Sequence, residues 1–265
     1  MPFQSIEPRR LYRQIADQIR TLIRSGEFSP GGRLPPERDL AKQLGVSRPS
    51  VREALIALEV EGLVEVRIGS GIYVQAVATT ENANEDATGS PNADGGRHGK
   101  SGGKVGGKVG HEGDGGATAG PFELLRARYV IEGETAALAA KSAKKAQVHA
   151  IEEALDAMQG ELDGHQQPLE GDRMFHLRIA EATGNGALVA VVDMLWVDRT
   201  GPLYKQLEHH YDSPALWHAA MAEHRAVLKA IAAKDVAGAR AAMQRHLTQA
   251  YKRFSTGWDS VAGGK

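Results

Sequence analysis

Asp172, His176, His224 and His246 are the residues of this 265-residue chain whose types and spacing could do chemistry. Asp172 and His176 stand four apart in GDRMFHLRIAEATGN, which on a helix puts both donors on one side. His224 shares a helical face with Ala220, Val227, Leu228 and Ile231, and His246 shares one with Ala242, Met243, Ala250 and Phe254. These are polar groups where apolar ones are expected. Taken singly, each histidine reads as a satisfied core residue or a helix-end residue. Together, three imidazoles and a carboxylate on the inward faces of three helices make a donor set for a divalent transition metal. Imidazole and carboxylate suit Zn²⁺, Ni²⁺, Mn²⁺ or Fe²⁺, and a six-coordinate ion leaves positions open for water or a ligand. Such an ion could activate water in an enzyme, but no residue beside these positions is a persuasive general base. The remaining histidines of this region, His149, His165, His209, His210 and His218, lack this combination.

The elements that must position these groups are helices. From residue 121 onward the periodicity predicts helices over about 121–141, 145–159, 168–183, 186–209, 213–233 and 236–255. Breaks fall at Gly160–Gly164, Thr183–Gly186, Tyr211–Pro214 and Lys234–Asp235. No strand-like alternation interrupts them, so an antiparallel all-α bundle over 121–256 is expected.

The other informative stretch is Arg33–Val74. Pro35-Pro36 opens a short helix with an apolar side at Leu40, Ala41 and Leu44, and Gly45 ends it at a tight turn. Ser47 caps a second helix with Val51, Ala54, Leu55 and Leu58 on one face. Arg48 and Arg52 lie on another face, expected to be free to meet a partner. Gly62 stops that helix, and Val64–Ile68 and Ile72–Val74 around Gly69-Ser70-Gly71 read as a β-hairpin. Residues 8–25 supply a preceding amphipathic helix with Leu11, Ile15, Ile19, Leu22 and Ile23 inward. Together these make a winged helix-turn-helix domain over residues 1–75, whose second helix has the dimensions to enter a DNA major groove. The fold class is mainly α.

Between the two lies Gly-, Asn- and Asp-rich sequence over 76–120, with almost no large apolar residue, expected to be a flexible linker; its His98 and His111 are read as incidental. Residues 257–265 are read as a disordered tail. The formal net charge is −1, and residues 1–75 carry 11 Lys+Arg against 9 Asp+Glu, a surplus of two. Indiscriminate attraction to nucleic acid is therefore excluded, and DNA affinity must come from placed arginines and from dimerisation. The absence of cysteine excludes disulfides and thiolate chemistry. No 18-residue apolar run and no leader pattern is present, so a cytoplasmic location without membrane contact is expected.

The residues LPPERDLA (34–41), GVSR (45–48), VREAL (51–55) and LExEGLV (58–64) resemble the DNA-binding domain of the GntR family of bacterial transcription regulators. That resemblance implies double-stranded operator DNA as partner, with Arg38, Ser47, Arg48, Ser50, Arg52 and Gly69 at the DNA. Residues 121–256 resemble the FCD ligand-binding domain of the FadR subgroup, where the Asp-x-x-x-His pattern and one histidine on each of two later helices bind a metal. In RARYVIEGETAALAA, Arg128 and Glu132 match that domain's Arg-x-x-x-Glu pattern. The resemblance implies that Arg128 pairs with the carboxylate of a small organic-acid effector, a task that suits a guanidinium fork; the alternative is an Arg128–Glu132 salt bridge on a solvated face. GPFELL (120–125), FHLRIAEATGNGALVAVVDMLW (175–196) and EHRAVLKAIAAKDVAGARAAMQRHL (223–247) are similar to regulators of hexuronate utilisation, which implies a homodimeric repressor answering to a hexuronate. Trp196, Arg199, Tyr204 and Trp217 are candidates for contacts to sugar hydroxyls. A metal-responsive regulator, with the ion itself as signal, is the alternative, and a metal-dependent enzyme with a DNA-binding head is another.

Overall fold

A computed structural model describes residues 10–67, 69–76, 119–211 and 213–256. Most of the expected linker, the expected tail and Ile68 of the expected strand lie outside the described residues. The N-terminal part comprises α1 (Leu11–Arg24), α2 (Glu37–Leu44), α3 (Arg48–Val60), β1 (Val64–Arg67) and β2 (Gly71–Val74). Gly45 sits between α2 and α3 at φ +65°, a left-handed conformation that glycine reaches without steric strain. Ser47 accepts a hydrogen bond from the backbone of Ser50 at 3.3 Å and so caps α3. The strands pair antiparallel with Val64 opposite Val74 and Arg67 opposite Gly71. Leu34 joins the wing to α2 through a backbone bond to Ile72. Gly71 (φ +126°) has no room for a side chain because the Arg33 guanidinium crosses it.

One core holds this part together: Tyr12, Ile15, Ala16, Ile19 and Ile23 of α1 pack with Val51, Ala54, Leu55 and Leu58 of α3 and with Val64, Ile72 and Val74 of the wing. Leu11 and Leu22, expected inward, are 47% and 41% exposed. The stripe that faces α3 runs through residues 12, 15, 16, 19 and 23, so both leucines fall on its flank.

The C-terminal part is helical throughout: α4 (Pro121–Ser142), α5 (Lys145–Asp163), α6 (Leu169–Ala182), α7 (Gly186–Arg199), α8 (Pro202–Tyr211), α9 (Pro214–Ala232) and α10 (Val236–Thr256). α10 lies along α4 and α9, α5 pairs with α6, and α7 packs on α4 and α6. Small residues on α4 (Ala136, Ala139, Ala140) let α10 approach closely through Ala239, Ala242 and Met243. The single helix expected over 186–209 is two helices. Pro202 lacks the N–H that would continue α7 and instead begins α8, after a turn at Thr200-Gly201.

The two parts meet through α3. Ile56, Phe122 and Leu207 form a small buried cluster among α3, α4 and α8, flanked by Tyr211, Tyr251 and Phe254. Glu53 of α3 accepts a hydrogen bond from the backbone N–H of Phe122 at 2.8 Å, so a side chain of the head caps the first helix of the bundle. Gly120 leaves room for that carboxylate, because a Cβ there would lie 2.6 Å from Glu53 Oε1. Burial pushes the Glu53 carboxyl up to about 7.

Candidate metal centre and ligand pocket

Asp172 and His176 project from α6, His224 from α9 and His246 from α10, and all four are buried. One ligand atom from each lies within 4.8 Å of every other. Asp172 Oδ1 is 3.2 Å from His224 Nε2 and 3.4 Å from His176 Nε2, and those two nitrogens are 3.4 Å apart. Donor atoms about 3 Å apart are what ligands sharing one ion through bonds of about 2.1 Å present to each other. Asp172 Oδ1 makes no well-directed hydrogen bond although it is buried. A buried carboxylate oxygen without a well-directed hydrogen bond, facing two imidazole nitrogens, has the chemistry that a metal ion's coordination shell requires.

Carboxylates behind the cluster orient two of the rings. Glu132 Oε2 lies 2.5 Å from His176 Nδ1, and Glu223 Oε2 lies 2.8 Å from His246 Nδ1. At His246 the bond to Glu223 favours the proton on Nδ1 and leaves Nε2 as the lone-pair nitrogen, whereas the close His176–Glu132 contact is not a well-directed hydrogen bond. Burial holds His246 well below its usual pKa, aided by the neighbouring His224 and His176, and burial also lowers His224. His176 moves the other way: burial opposes, but Glu132 and the contact with Asp172 raise it. Burial alone would push the Asp172 carboxyl up, yet Arg199 and the contacts with His176 and His224 hold it well below the usual range. The low pKa of Asp172, His224 and His246 suits them to the unprotonated forms that a metal ion would require, while the same ion would oppose the upward shift of His176.

A pocket opens above the cluster, lined by Arg128, Arg199, Arg253, Tyr204, Trp217 and Phe254 among others, with Asp172, His224 and His246 in its wall. Each of these arginines is tied to a donor of the cluster. Arg199 Nη1 meets Asp172 Oδ2 at 2.6 Å and also holds Glu208 at 2.6 Å. Arg128 meets Glu132 at 2.6 Å, and Glu132 in turn holds His176. Arg253 meets Glu223 at 2.8 Å, and Glu223 holds His246. Trp196 lies between Arg128 and Arg199, 4.5 and 4.4 Å from their guanidinium carbons, and fixes both cations over its faces.

The Arg128–Glu132 pair is therefore buried rather than on a solvated face, with both side chains at most 3% exposed. Glu132 supports a histidine and is not itself in the wall of the pocket. Trp196 likewise lies behind the wall, whereas Arg199, Tyr204 and Trp217 line it. Sequence reasoning missed Glu223, Arg253 and Glu208. Arg253 follows His246 by seven residues, two turns along the same face of α10, and that spacing could have found it.

Among the residues expected at DNA, Arg38 has an 80% exposed side chain, and Ser47 and Gly69 are exposed at the start of α3 and at the wing tip. Arg48 is partly exposed and pairs with Glu37 at 3.0 Å, and Ser50 stands beside Ser47. Arg52 is different. It was expected to be free, yet it is 1% exposed, bound to Glu37 at 2.7 Å and to the backbone carbonyl of Phe254 on α10. The closed junction between α3 and the bundle withdraws it from solvent.

Residues 11–74 match the model of the bacterial regulatory proteins of the gntR family, and residues 123–249 match the FCD domain. The chain belongs to the gntR family. It is 37% identical over 248 residues to the Uxu operon transcriptional regulator of Escherichia coli K12, covering 92% of this chain and 87% of that protein. The Exu regulon transcriptional regulator of the same organism is 38% identical over 246 residues, covering 91% of this chain and 83% of that protein. The Uxu operon regulator of Haemophilus influenzae is 34% identical over 239 residues, covering 90% and 79%. The chain is a transcriptional regulator rather than an enzyme, with a DNA-binding head and an FCD domain. Among the described residues, no helix is long and apolar enough to cross a membrane.

Proposed function

We propose that this regulator is a homodimeric repressor whose grip on operator DNA is controlled by a small carboxylate, a hexuronate, bound beside a divalent metal ion. The observation that carries this reading is the convergence of Asp172, His176, His224 and His246, three of them (Asp172, His224 and His246) in the wall of a pocket lined with arginines. The ion supplies open coordination positions for a carboxylate or hydroxyl oxygen. Arg128, Arg199 and Arg253 receive the acid, and Tyr204 and Trp217 face the sugar. In support, the relatives above regulate the Uxu operon and the Exu regulon.

The route from pocket to DNA runs through α8 and α10. Tyr204 and Glu208 of α8 reach the pocket, while Leu207 and His210 of the same helix meet Ile56 and Glu59 of α3. On α10, the Phe254 ring lines the pocket and its carbonyl holds Arg52. An acid that repositions Glu208 or Phe254 therefore acts on both sides of the recognition helix. Two such heads on a pseudo-palindromic operator are needed, because one head carries little surplus charge.

The test is a thermal-shift titration with hexuronates, aldonates and short carboxylic acids, before and after chelation. An acid at about 100 times its dissociation constant stabilises by about 2.7 kcal/mol, and the effect disappears on chelation. The second reading, a regulator for which the ion is itself the signal, draws on the carboxylate already paired with each pocket arginine. It is distinguished by a protein that no acid stabilises and whose DNA affinity follows the metal alone.

A further inference from the structure

Tyr211, the last residue of α8, belongs to two neighbourhoods at once. It lines the pocket, and it packs on the Ile56–Phe122–Leu207 cluster that joins the head to the bundle. Its ring meets the Phe254 ring at 60°, with centroids 5.7 Å apart, and the carbonyl of Phe254 is the one that holds Arg52. The Tyr211 hydroxyl is buried and has no hydrogen-bond partner among the described residues. Burial pushes it up to about 12, while Arg52 draws it down and Glu37 drives it up, so the hydroxyl stands in the field of that ion pair. A buried hydroxyl without an acceptor is unfavourable, and a neighbouring position that satisfies it competes with the one it occupies. Glu37 is the carboxylate whose charge it feels, and Glu37 is fully engaged. Its Oε1 accepts from Arg48 and Arg52, each at 3.0 Å, and its Oε2 accepts twice from Arg52, at 2.9 and 2.7 Å. Each carboxylate oxygen offers two lone pairs, so a further donor reaches Glu37 only by displacing an arginine.

We propose that Tyr211 is a positioning residue for Arg52: its hydroxyl and Arg52 compete for Glu37, and occupancy of the pocket, met by the Tyr211 ring, biases that competition. The occupant rests on the metal-and-acid reading above; the competition itself needs no ligand. Two arrangements exclude each other. In the described one Arg52 holds Glu37 and is withdrawn from solvent, and the hydroxyl goes unsatisfied. In the other the hydroxyl donates to Glu37, and Arg52 gives up part of its hold and is available at the recognition helix. A ligand against the ring contacts its two positions unequally, and such a difference is what shifts an equilibrium.

The test is a double-mutant cycle of Tyr211→Phe and Glu37→Gln in the full chain, read by fluorescence anisotropy on a duplex that the protein selects. Tyr211→Phe keeps the ring and removes only a hydroxyl that has no partner, so denaturant unfolding is expected to show no loss of stability. Without ligand its DNA affinity is expected to fall at least about threefold, because Arg52 then holds Glu37 unopposed. In the Glu37→Gln background, where Arg52 is already loosened, the same substitution is expected to leave DNA affinity unchanged. With metal and galacturonate present, Tyr211→Phe is expected to bind the acid within about threefold of wild type while at least about half of the DNA response is lost. A residue that serves packing alone would move none of the DNA readings, since phenylalanine packs as tyrosine does. Wild-type DNA affinity in Tyr211→Phe, an equal fall in both backgrounds, or a loss of unfolding stability would overturn the competition. A full response to galacturonate in Tyr211→Phe would overturn the link to the pocket. If the cycle couples while galacturonate leaves wild-type DNA binding untouched, the competition stands and the metal-and-acid reading falls.

Discussion

Arg128 and Glu132 are almost fully buried, one turn apart on α4, and each is satisfied by the other. Coulomb attraction alone does not justify such a pair, because removing two ions from water offsets most of what they gain from each other. What the pair does is geometric: Arg128 is held flat on Trp196 at the pocket, and Glu132 fixes the His176 ring. Removing one partner strands the other. Glu132→Ala is expected to destabilise the chain by about 3–5 kcal/mol in denaturant unfolding, and also to weaken metal binding by loosening His176. Combining Arg128→Met with Glu132→Leu is expected to recover much of the stability and none of the metal affinity. Full stability in Glu132→Ala would show that the pair is not buried as described.

Glu53 supplies a second residue-scale prediction, this time in pH. Its folded-state pKa, raised by burial to about 7, lies above the ordinary value of 4.5. Between those values the folded chain binds more protons than the unfolded one, so stability falls as pH rises through that window and levels off above it. The effect is bounded at about 3 kcal/mol. Glu53→Gln keeps a hydrogen-bond acceptor for Phe122 and removes the ionisation, so its unfolding free energy is expected to vary less between pH 5 and pH 8 than that of the wild type. Equal slopes would mean that Glu53 ionises without hindrance in the folded chain.

At the scale of elements, α8 is a short helix with two occupied faces. Tyr204 and Glu208 look into the pocket, and Leu207 is buried against Ile56 of α3 and Phe122 of α4. Leu207→Ala removes about 2–5 kcal/mol of packing at the junction, and Leu207 does not itself line the pocket, although Tyr211 and Phe254 beside its cluster do. Ligand affinity is expected to stay within about threefold, a shift under 1 kcal/mol, while the change in DNA affinity on ligand binding shrinks. Calorimetry beside fluorescence anisotropy on DNA separates the two. An unchanged DNA response would remove α8 from the route. Local periodicity made most of these helices readable, since α4, α9 and α10 bury stripes at the helical repeat. The α7–α8 boundary was not, because the apolar pattern runs on through Gly201-Pro202 and only the proline's missing donor breaks it.

At the scale of the whole molecule, the two parts are joined by named contacts on α3: Arg52 to Phe254, Glu53 to Phe122, Glu59 to His210. The four candidate metal donors were readable in the sequence because each interrupts an apolar face of its own helix. The pairings behind them were not, since Arg199 reaches Asp172 and Arg253 reaches Glu223 from other helices: spacing can place Arg253 on the face of His246, but nothing local names its partner. Burial of Arg52 was hidden for the same reason: its partners are Glu37, fifteen residues away, and a carbonyl 202 residues away. If Arg52 is a DNA contact, as the resemblance implies, its release from Glu37 and Phe254 is expected to accompany operator binding. Glu37→Gln, which loosens Arg52 and Arg48 together, is expected to tighten DNA binding severalfold, or about 1 kcal/mol, in the absence of any ligand.

The central claim, that metal and acid act together on DNA affinity, is tested most directly by anisotropy titrations on an operator that the protein selects from random duplexes. The metal-loaded chain is measured with and without galacturonate, and again after chelation. The account predicts a change in DNA affinity of at least about fivefold on adding the acid, within the usual coupling of about 1–3 kcal/mol, and no response to the acid once the metal is removed. A DNA affinity indifferent to galacturonate while the metal is bound, or a response that survives chelation unchanged, would contradict it.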